Sequence, residues 1–293
     1  MESFDYLASA SATLITAKPG FSRFMHIVAN GHVALPMKYL KLYPAEQQSW
    51  LQHVAREDCA YELSVVAEDG SVLAKSAVTN AVVCQHEVRD LAVLYLEDEF
   101  TFLGNVAKAG VDIMLPELDT RYIGDQDAIG FAGHVVGQDF GAPDEATKPL
   151  LVEGRLRGQT INQTFFTTAE PLKQGFCGCP ALFEDATCAG VVDGIVAPLT
   201  PEEDKTFAEN DPRRIFAGCA SIVPAETIID FLKELEDNDE VKKVLGPPAV
   251  PFIDPNKVQD KDDPTVIDVD TQNSHTDTTT IKDPPFEPPP PPR

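Results

Sequence analysis

Short apolar runs separated by turn signals constrain the fold of this chain more strongly than any other feature of its sequence. About a dozen such runs lie before residue 225, each rich in β-branched and aromatic residues and each as long as a strand. The runs cover 11–17, 24–29, 61–79, 91–96, 111–116, 127–137, 148–158, 163–169, 180–183, 189–198 and 216–224. Within 61–79 an Asp-Gly pair predicts a hairpin turn between two of them. Many short strands favour a β-sandwich or β-barrel over alternating β–α units.

Two segments have the pattern of helices instead. Residues 44–57 place Trp50 and Leu51 on one face, and residues 224–246 repeat apolar side chains at helical spacing. The second segment starts with a proline and ends with a glycine, as helices commonly do. We therefore predict an all-β unit that is closed by a C-terminal helix.

The charge of the chain restricts its partners. Its 293 residues carry a formal net charge of −24, and 43% of them are apolar. Binding to nucleic acid relies on Lys and Arg, so no nucleic-acid partner is expected. The N-terminus lacks the basic start and apolar core of a secretory signal, and no run is long enough for a transmembrane helix. We expect no membrane insertion and an intracellular protein, most simply a cytoplasmic one, with an organelle left open.

The composition changes near residue 246. Residues 246–293 are rich in Pro, Asp and Thr and poor in apolar residues, so they cannot bury enough surface to fold as a packed domain. The terminal proline run favours an extended polyproline conformation. The segment is either a solvated acidic tail or an arm that docks onto a proline-recognising domain or a large protein assembly.

Six cysteines, at 59, 84, 177, 179, 188 and 219, are expected to be reduced thiols in a long chain without a secretory signal. Cys177 and Cys179 are separated by one residue, and no second ligand pair follows at zinc-finger spacing. A zinc or redox centre is therefore the least favoured function, and no metal or other cofactor is expected.

Three islands of sequence contain the residue types needed for nucleophilic catalysis. His32 follows a predicted strand in IVANGHVALP, Asp90 precedes one in VRDLAVLYLED, and Cys177 lies in the glycine-rich GFCGCP. Each island alone has an ordinary structural explanation: a packed histidine, a strand-edge carboxylate and a loop that needs glycine. Together they supply a nucleophile, a base and a carboxylate that orients the base.

In this order the islands resemble the trypsin-like peptidases of the chymotrypsin fold, most closely the intracellular high-temperature-requirement type. ANGHVALP resembles that family's block around the histidine, and RDLAVLYLED resembles its Asp-Leu-Ala-Val-Leu strand. Residues 167–196 resemble the block around its nucleophile, and residues 216–235 resemble its last strand and closing helix. The resemblance extends over roughly residues 8–240.

The resemblance implies a peptidase domain, 1–245, built from two six-stranded β-barrels at about 1–115 and 116–245, with the active site between them. It implies His32 as general base, Asp90 as its orienter and Cys177 as nucleophile. The N–H groups of Gly175 and Cys177 would form the oxyanion hole, and the substrate would be a peptide or protein.

Three residues depart from the family pattern. Cys177 occupies the position of a serine in cellular members, although viral members of this fold use Gly-x-Cys-Gly. Cys179 replaces a glycine and is expected to crowd the turn, while Phe176 replaces a small polar residue. We therefore favour an endopeptidase that cleaves by nucleophilic acyl transfer and retain one alternative. In that alternative, the chain is a weak or inactive protease-fold subunit that binds a larger assembly through its loops and tail.

Overall fold

A computed structural model of the chain describes residues 7–16, 25–79, 83–111, 113, 115–135, 148–160 and 163–245. The predicted tail at 246–293 and parts of the predicted strands 11–17, 24–29, 111–116 and 127–137 lie outside the described residues. The described part of 111–116 is not in a strand.

The C-terminal half forms a closed six-stranded barrel. Its strands are β7 (Ala128–Val135), β8 (Lys148–Gln159), β9 (Thr164–Thr168), β10 (Pro180–Leu182), β11 (Cys188–Ile195) and β12 (Ala220–Pro224). Hydrogen bonds join them in the order β10-β11-β12-β9-β8-β7, which returns to β10. Alternate side chains point inward and bury a core that includes Phe131, Phe166 and Ile222. The predicted strands of this half are confirmed, and so is the prediction of a barrel.

The N-terminal half contains six further strands among the described residues. They are β1 (Thr13–Thr16), β2 (Met25–Ala29), β3 (Tyr61–Val66), β4 (Val72–Val78), β5 (Cys84–Gln85) and β6 (Ala92–Leu94). They form a four-stranded sheet, β1-β2-β6-β5, and the hairpin β3-β4, whose turn has Gly70 at φ 88°. The predicted hairpin is confirmed. The end of β4 is joined to the residues after β6, where the Thr79 N–H donates to the Tyr95 carbonyl at 2.8 Å and the Glu97 N–H donates to the Ala77 carbonyl at 3.2 Å. The barrel predicted for this half stays a prediction, because its described strands show no closed order.

The helices lie between and after the strands. They are α1 (Gly31–Ala34), α2 (Ala45–Leu51), α3 (Glu99–Lys108), α4 (Pro201–Thr206), α5 (Pro212–Ile215), α6 (Ala225–Asp237) and α7 (Asp239–Leu245). The predicted helix 44–57 is shorter than expected. The predicted helix 224–246 is divided at Asn238, whose side chain accepts hydrogen bonds from the first turn of α7. The sequence pattern did not predict α3.

Helix α6 covers the boundary between the two halves. Its Ile228 and Leu232 share one buried cluster with Val28 and Leu91 of the N-terminal half and with Val223 of the barrel. Burial of large aliphatic side chains contributes roughly 1.5–3 kcal/mol each, so this cluster holds the two halves together. Of the helices in the described ranges, none is long and apolar enough to span a membrane.

Candidate active site

His32 and Asp90 are brought together by the pairing of two strands. Strand β2 pairs antiparallel with β6, so the end of β2 lies beside the start of β6, with Ala29 opposite Ala92. His32 is in the first turn after β2, and Asp90 lies just before β6. The Nδ1 atom of His32 is 2.5 Å from Oδ2 of Asp90, and the His32 backbone N–H donates to Oδ1 at 2.8 Å. The carboxylate therefore holds both the ring and the backbone of the histidine.

Asn30 fixes the backbone next to this pair. It is 1% exposed, and its side-chain Nδ2 donates to the carbonyl oxygen of Asp90 at 2.9 Å. The hydrogen bond joins Asn30, directly after β2, to Asp90, two residues before β6. The sequence reasoning did not select Asn30, although a polar residue directly after a buried strand is a signal for such a contact.

Cys177 is the second residue of a turn over 176–179, in which the Cys179 N–H donates to the Phe176 carbonyl at 2.9 Å and Gly178 has φ 88°. A second turn directly precedes it. The Phe176 N–H donates to the carbonyl of Lys173 at 3.3 Å, and Gly175 at the third position has φ 102°. This combination is characteristic of a type II turn, which requires a positive φ at that position. The thiol is partly exposed, and its interaction with His32 raises the pKa of the imidazole. The three predicted residues His32, Asp90 and Cys177 therefore lie in one contiguous group.

The predicted oxyanion donors lie on these two consecutive turns. Gly175 and Cys177 are separated by one residue, and neither N–H group donates to another backbone carbonyl in the described ranges. Two such N–H groups beside a nucleophile have the chemistry needed to bind a developing oxyanion.

The residues that depart from the family pattern are directed into the barrel. Phe176 is 1% exposed, and its ring occupies the space above Gly133, where an added Cβ would lie 2.7 Å from Cδ1 of the ring. Cys179 is fully buried in the same apolar cluster. The crowding of the turn that we expected from Cys179 is not observed, because its side chain packs into the core.

Side chains of the N-terminal segment donate hydrogen bonds to the turns around Cys177. The backbone N–H and the side-chain hydroxyl of Ser11 both donate to the Gly175 carbonyl, at 2.8 and 2.7 Å. The hydroxyl of Thr13 donates to the Gly178 carbonyl at 2.8 Å. These contacts join residues more than 150 positions apart, and no local pattern in the sequence predicted them.

A carboxylate lies next to this turn on the barrel side. The Gly178 N–H donates to the carbonyl of Val192 at 2.9 Å, and Asp193 follows Val192 at a bulge in β11. Its carboxylate accepts hydrogen bonds from Ser221 and from Gln163. The sequence reasoning did not select Asp193.

The environment of His32 favours its protonated form. Burial alone lowers the pKa of His32, but hydrogen bonds with Asp90 and Cys177, together with their charges, raise it from 6.5 to about 9. Burial, with the neighbouring Cys177 and Cys188 as further causes, raises the pKa of the Cys179 thiol well above its ordinary value. A protonated imidazole beside Cys177 can stabilise a thiolate, while Cys179 stays a neutral core thiol.

The free energy of unfolding should therefore contain a contribution from His32 that depends on pH. A folded-state pKa above the unfolded value gives a contribution that is complete below about pH 6.5 and is lost as pH rises through about 9. Urea unfolding at pH 6, 7.5 and 9 should show this decline in the native chain but a weaker one in His32→Gln. Parallel pH profiles of the two proteins would contradict the proposed environment of His32.

No metal-binding group is apparent at the site. Within the described ranges, no cluster of three or more His, Cys, Asp or Glu side chains is arranged to hold a metal ion. All six cysteines belong to these ranges and all are free thiols.

Comparisons with known proteins find similarity at the level of structure. No protein-family model matches the chain. No curated protein matches its sequence. A solved structure of a Glu endopeptidase in complex with MPD is similar, with 13% identity and a TM-score of 0.46 over 80% of this chain and 89% of that one.

A second similar structure is the HtrA-type protease AlgW with a decapeptide, with 13% identity, a TM-score of 0.41 and 82% of this chain covered. This chain spans 60% of the AlgW structure. Both structures are peptidases, one of them of the high-temperature-requirement type that the sequence resembles. Because both alignments are distant, the roles of individual residues rest on the geometry of this chain.

Proposed function

We propose that this chain is an endopeptidase with a cysteine nucleophile, in which His32 is the general base and Asp90 orients it. The observation that carries the proposal is the hydrogen-bonded His32–Asp90 pair, whose imidazole pKa is also raised by its interaction with Cys177. Nδ1 of the imidazole faces the carboxylate, which leaves Nε2 for the thiol. This is the relation of nucleophile, base and orienting group that acyl transfer requires.

The reaction follows from these positions. At neutral pH, His32 already holds the proton that Cys177 has given up, and the sulfur attacks the carbonyl carbon of a peptide bond as a thiolate. The N–H groups of Gly175 and Cys177 stabilise the oxyanion that forms. When the C–N bond breaks, His32 returns the proton to the leaving amine, and a thioester remains on Cys177. His32 then takes a proton from water, which hydrolyses the thioester and frees the thiol.

The fold proposed with this function consists of two barrels. The six N-terminal strands would be the counterpart of the first barrel, within a peptidase domain at 1–245. His32 and Asp90 come from the N-terminal half and Cys177 from the C-terminal half, so the cleft between the halves would receive the peptide.

The test is hydrolysis of a mixed peptide library followed by mass spectrometry of the products. We expect cleavage by the native chain and none by Cys177→Ala, whose missing sulfur leaves no nucleophile. Cys219→Ala, which removes a buried thiol from the C-terminal half, is the matched control and should retain cleavage. Equal cleavage by native chain and Cys177→Ala would reject the proposal.

A binding role remains the second candidate function, and the composition of residues 246–293 favours it. The acidic, proline-rich sequence suits an extended docking arm. If the library stays intact and Cys177 has the reactivity of an ordinary thiol, the chain would act as a protease-fold subunit of a larger assembly.

A further inference from the structure

A tyrosine hydroxyl lies beside the carboxylate that orients His32. Tyr39 follows α1 and the 3-10 turn Pro36–Lys38. A Cβ added to Gly31 would lie 2.5 Å from the Tyr39 hydroxyl oxygen and 3.1 Å from Oδ1 of Asp90. The two oxygens thus border the same small space, which exists because residue 31 has no side chain. The Tyr39 and His32 rings are also neighbours, with centroids 6.2 Å apart.

Lys38 orients the amide of Gln85, and Gln85 in turn orients the hydroxyl of Tyr39. Nζ of Lys38 can only donate, and it donates to Oε1 of Gln85 at 2.8 Å. The amide of Gln85 is thereby oriented with Nε2 towards Tyr39, and Nε2 donates to the tyrosine oxygen at 2.6 Å. The hydroxyl keeps one proton to donate. The carboxylate of Asp90 borders the same space as the hydroxyl, and its interaction with Tyr39 raises the pKa of the phenol.

We propose that Tyr39 is a positioning residue for the His32–Asp90 pair. Its hydroxyl, oriented by Gln85, holds the Asp90 carboxylate so that Oδ1 faces the His32 backbone N–H and Oδ2 faces the ring. The inference rests on the roles proposed above for His32 and Asp90, and Tyr39 touches neither the substrate nor the thiol in this role.

The need for a further donor follows from the exposure of the carboxylate. The Asp90 side chain is 22% exposed, and both of its established donors belong to His32. A carboxylate has about four acceptor sites, so water can compete for Asp90 and turn it away from the ring. The Tyr39 hydroxyl occupies one of these sites with a group that cannot leave.

The protonation state of Tyr39 suits this role. Burial raises the pKa of Tyr39, and the charge of Asp90 raises it further, while the hydrogen bond from Gln85 lowers it. The phenol therefore keeps its proton throughout the range in which His32 titrates. The titratable side chains that act on His32 are Asp90 and Cys177, and Tyr39→Phe replaces neither of them.

The experiment is an NMR titration of the His32 ring in the full-length native chain and in Tyr39→Phe, with the resonance assigned from His32→Gln. Loss of the hydroxyl should lower the pKa of His32 from about 9 by roughly one pH unit, because a carboxylate that turns away stabilises the imidazolium less. The matched control is Tyr61→Phe. It removes a hydroxyl that donates at 2.7 Å to the Ala34 carbonyl of α1, the helix that contains His32. Its His32 should titrate as in the native chain.

An unchanged pKa of His32 in Tyr39→Phe would overturn the inference. So would a rise in the pKa, which would show that Tyr39 only withdraws charge from Asp90. Tyr39→Phe/Gln85→Leu avoids an unpaired amide and should show the same decrease. Because the titration needs no turnover, a protein that cleaves nothing but shows this decrease would count against the proposed function alone.

Discussion

Replacing His32 with alanine should slow the reaction of Cys177 with iodoacetamide at pH 7 by roughly tenfold to a hundredfold. In the native chain, the pKa of His32 is about 9, so its ring is protonated at pH 7 and lies beside the sulfur. An adjacent cation stabilises the thiolate, which is the reactive form. The alanine variant lacks that cation, and its rate should rise with pH as that of an ordinary exposed thiol does. Mass spectrometry of the labelled peptide at several pH values measures both rates.

The chain supplies the controls for this measurement. Cys179 and Cys188 are fully buried and their pKa values are raised by burial, so neither should be labelled in the folded protein. His53→Ala removes an exposed histidine and should leave the rate at Cys177 unchanged. If His32→Ala reacts as fast as the native chain, the two side chains do not act as a pair, and the proposed mechanism fails.

The residues of the proposed triad could be selected because their types and their order along the chain resemble a known family, and because His32 and Asp90 each lie next to a predicted strand. Alternating or continuous apolar runs identify strands, and the ends of paired strands place His32 and Asp90 together. Gly175 and Gly178, which flank Cys177, indicate turns with positive φ, and this signal is visible in the local sequence. These features depend on neighbouring residues, so a single sequence contains them.

The contacts that support the triad could not be predicted in the same way. Ser11 reaches the Gly175 carbonyl, and Gln85 reaches Tyr39, across separations of 164 and 46 residues. Such side-chain contacts depend on the tertiary positions of backbone groups, which have no local signature in the sequence. Any serine or glutamine in a strand or loop would have looked the same.

Helix α3 was missed for a different reason. Residues 99–108 follow an aspartate whose side chain accepts from the Thr101 N–H at 2.9 Å, which is a normal N-cap. Phe102 and Val106 are buried one turn apart, and that spacing was visible in the sequence. With aromatic and β-branched residues frequent throughout this half, strand propensity concealed a short helix that packing stabilises.

Replacing Gly178 with alanine should produce a large loss of stability. Gly178 has φ 88°, and a Cβ there would overlap the carbonyl oxygen of Ser11. The N–H and the hydroxyl of Ser11 both donate to the Gly175 carbonyl, so the Ser11 backbone cannot move without breaking these hydrogen bonds. We expect the free energy of unfolding to fall by about 4 kcal/mol or more, measured by urea denaturation.

Substitutions at two other glycines distinguish the backbone strain of a positive φ from the steric overlap of an added Cβ. Gly218 has φ 74° and an added Cβ would meet nothing within 4 Å, so Gly218→Ala should cost only the backbone strain of about 1–2 kcal/mol. Gly194 has neither a positive φ nor a neighbour within 4 Å, so Gly194→Ala should change stability little. The excess loss in Gly178→Ala over Gly218→Ala then measures how firmly the N-terminal segment holds the turn. If that excess is absent, Ser11 yields easily, and the rigidity of the oxyanion site must come from the barrel alone.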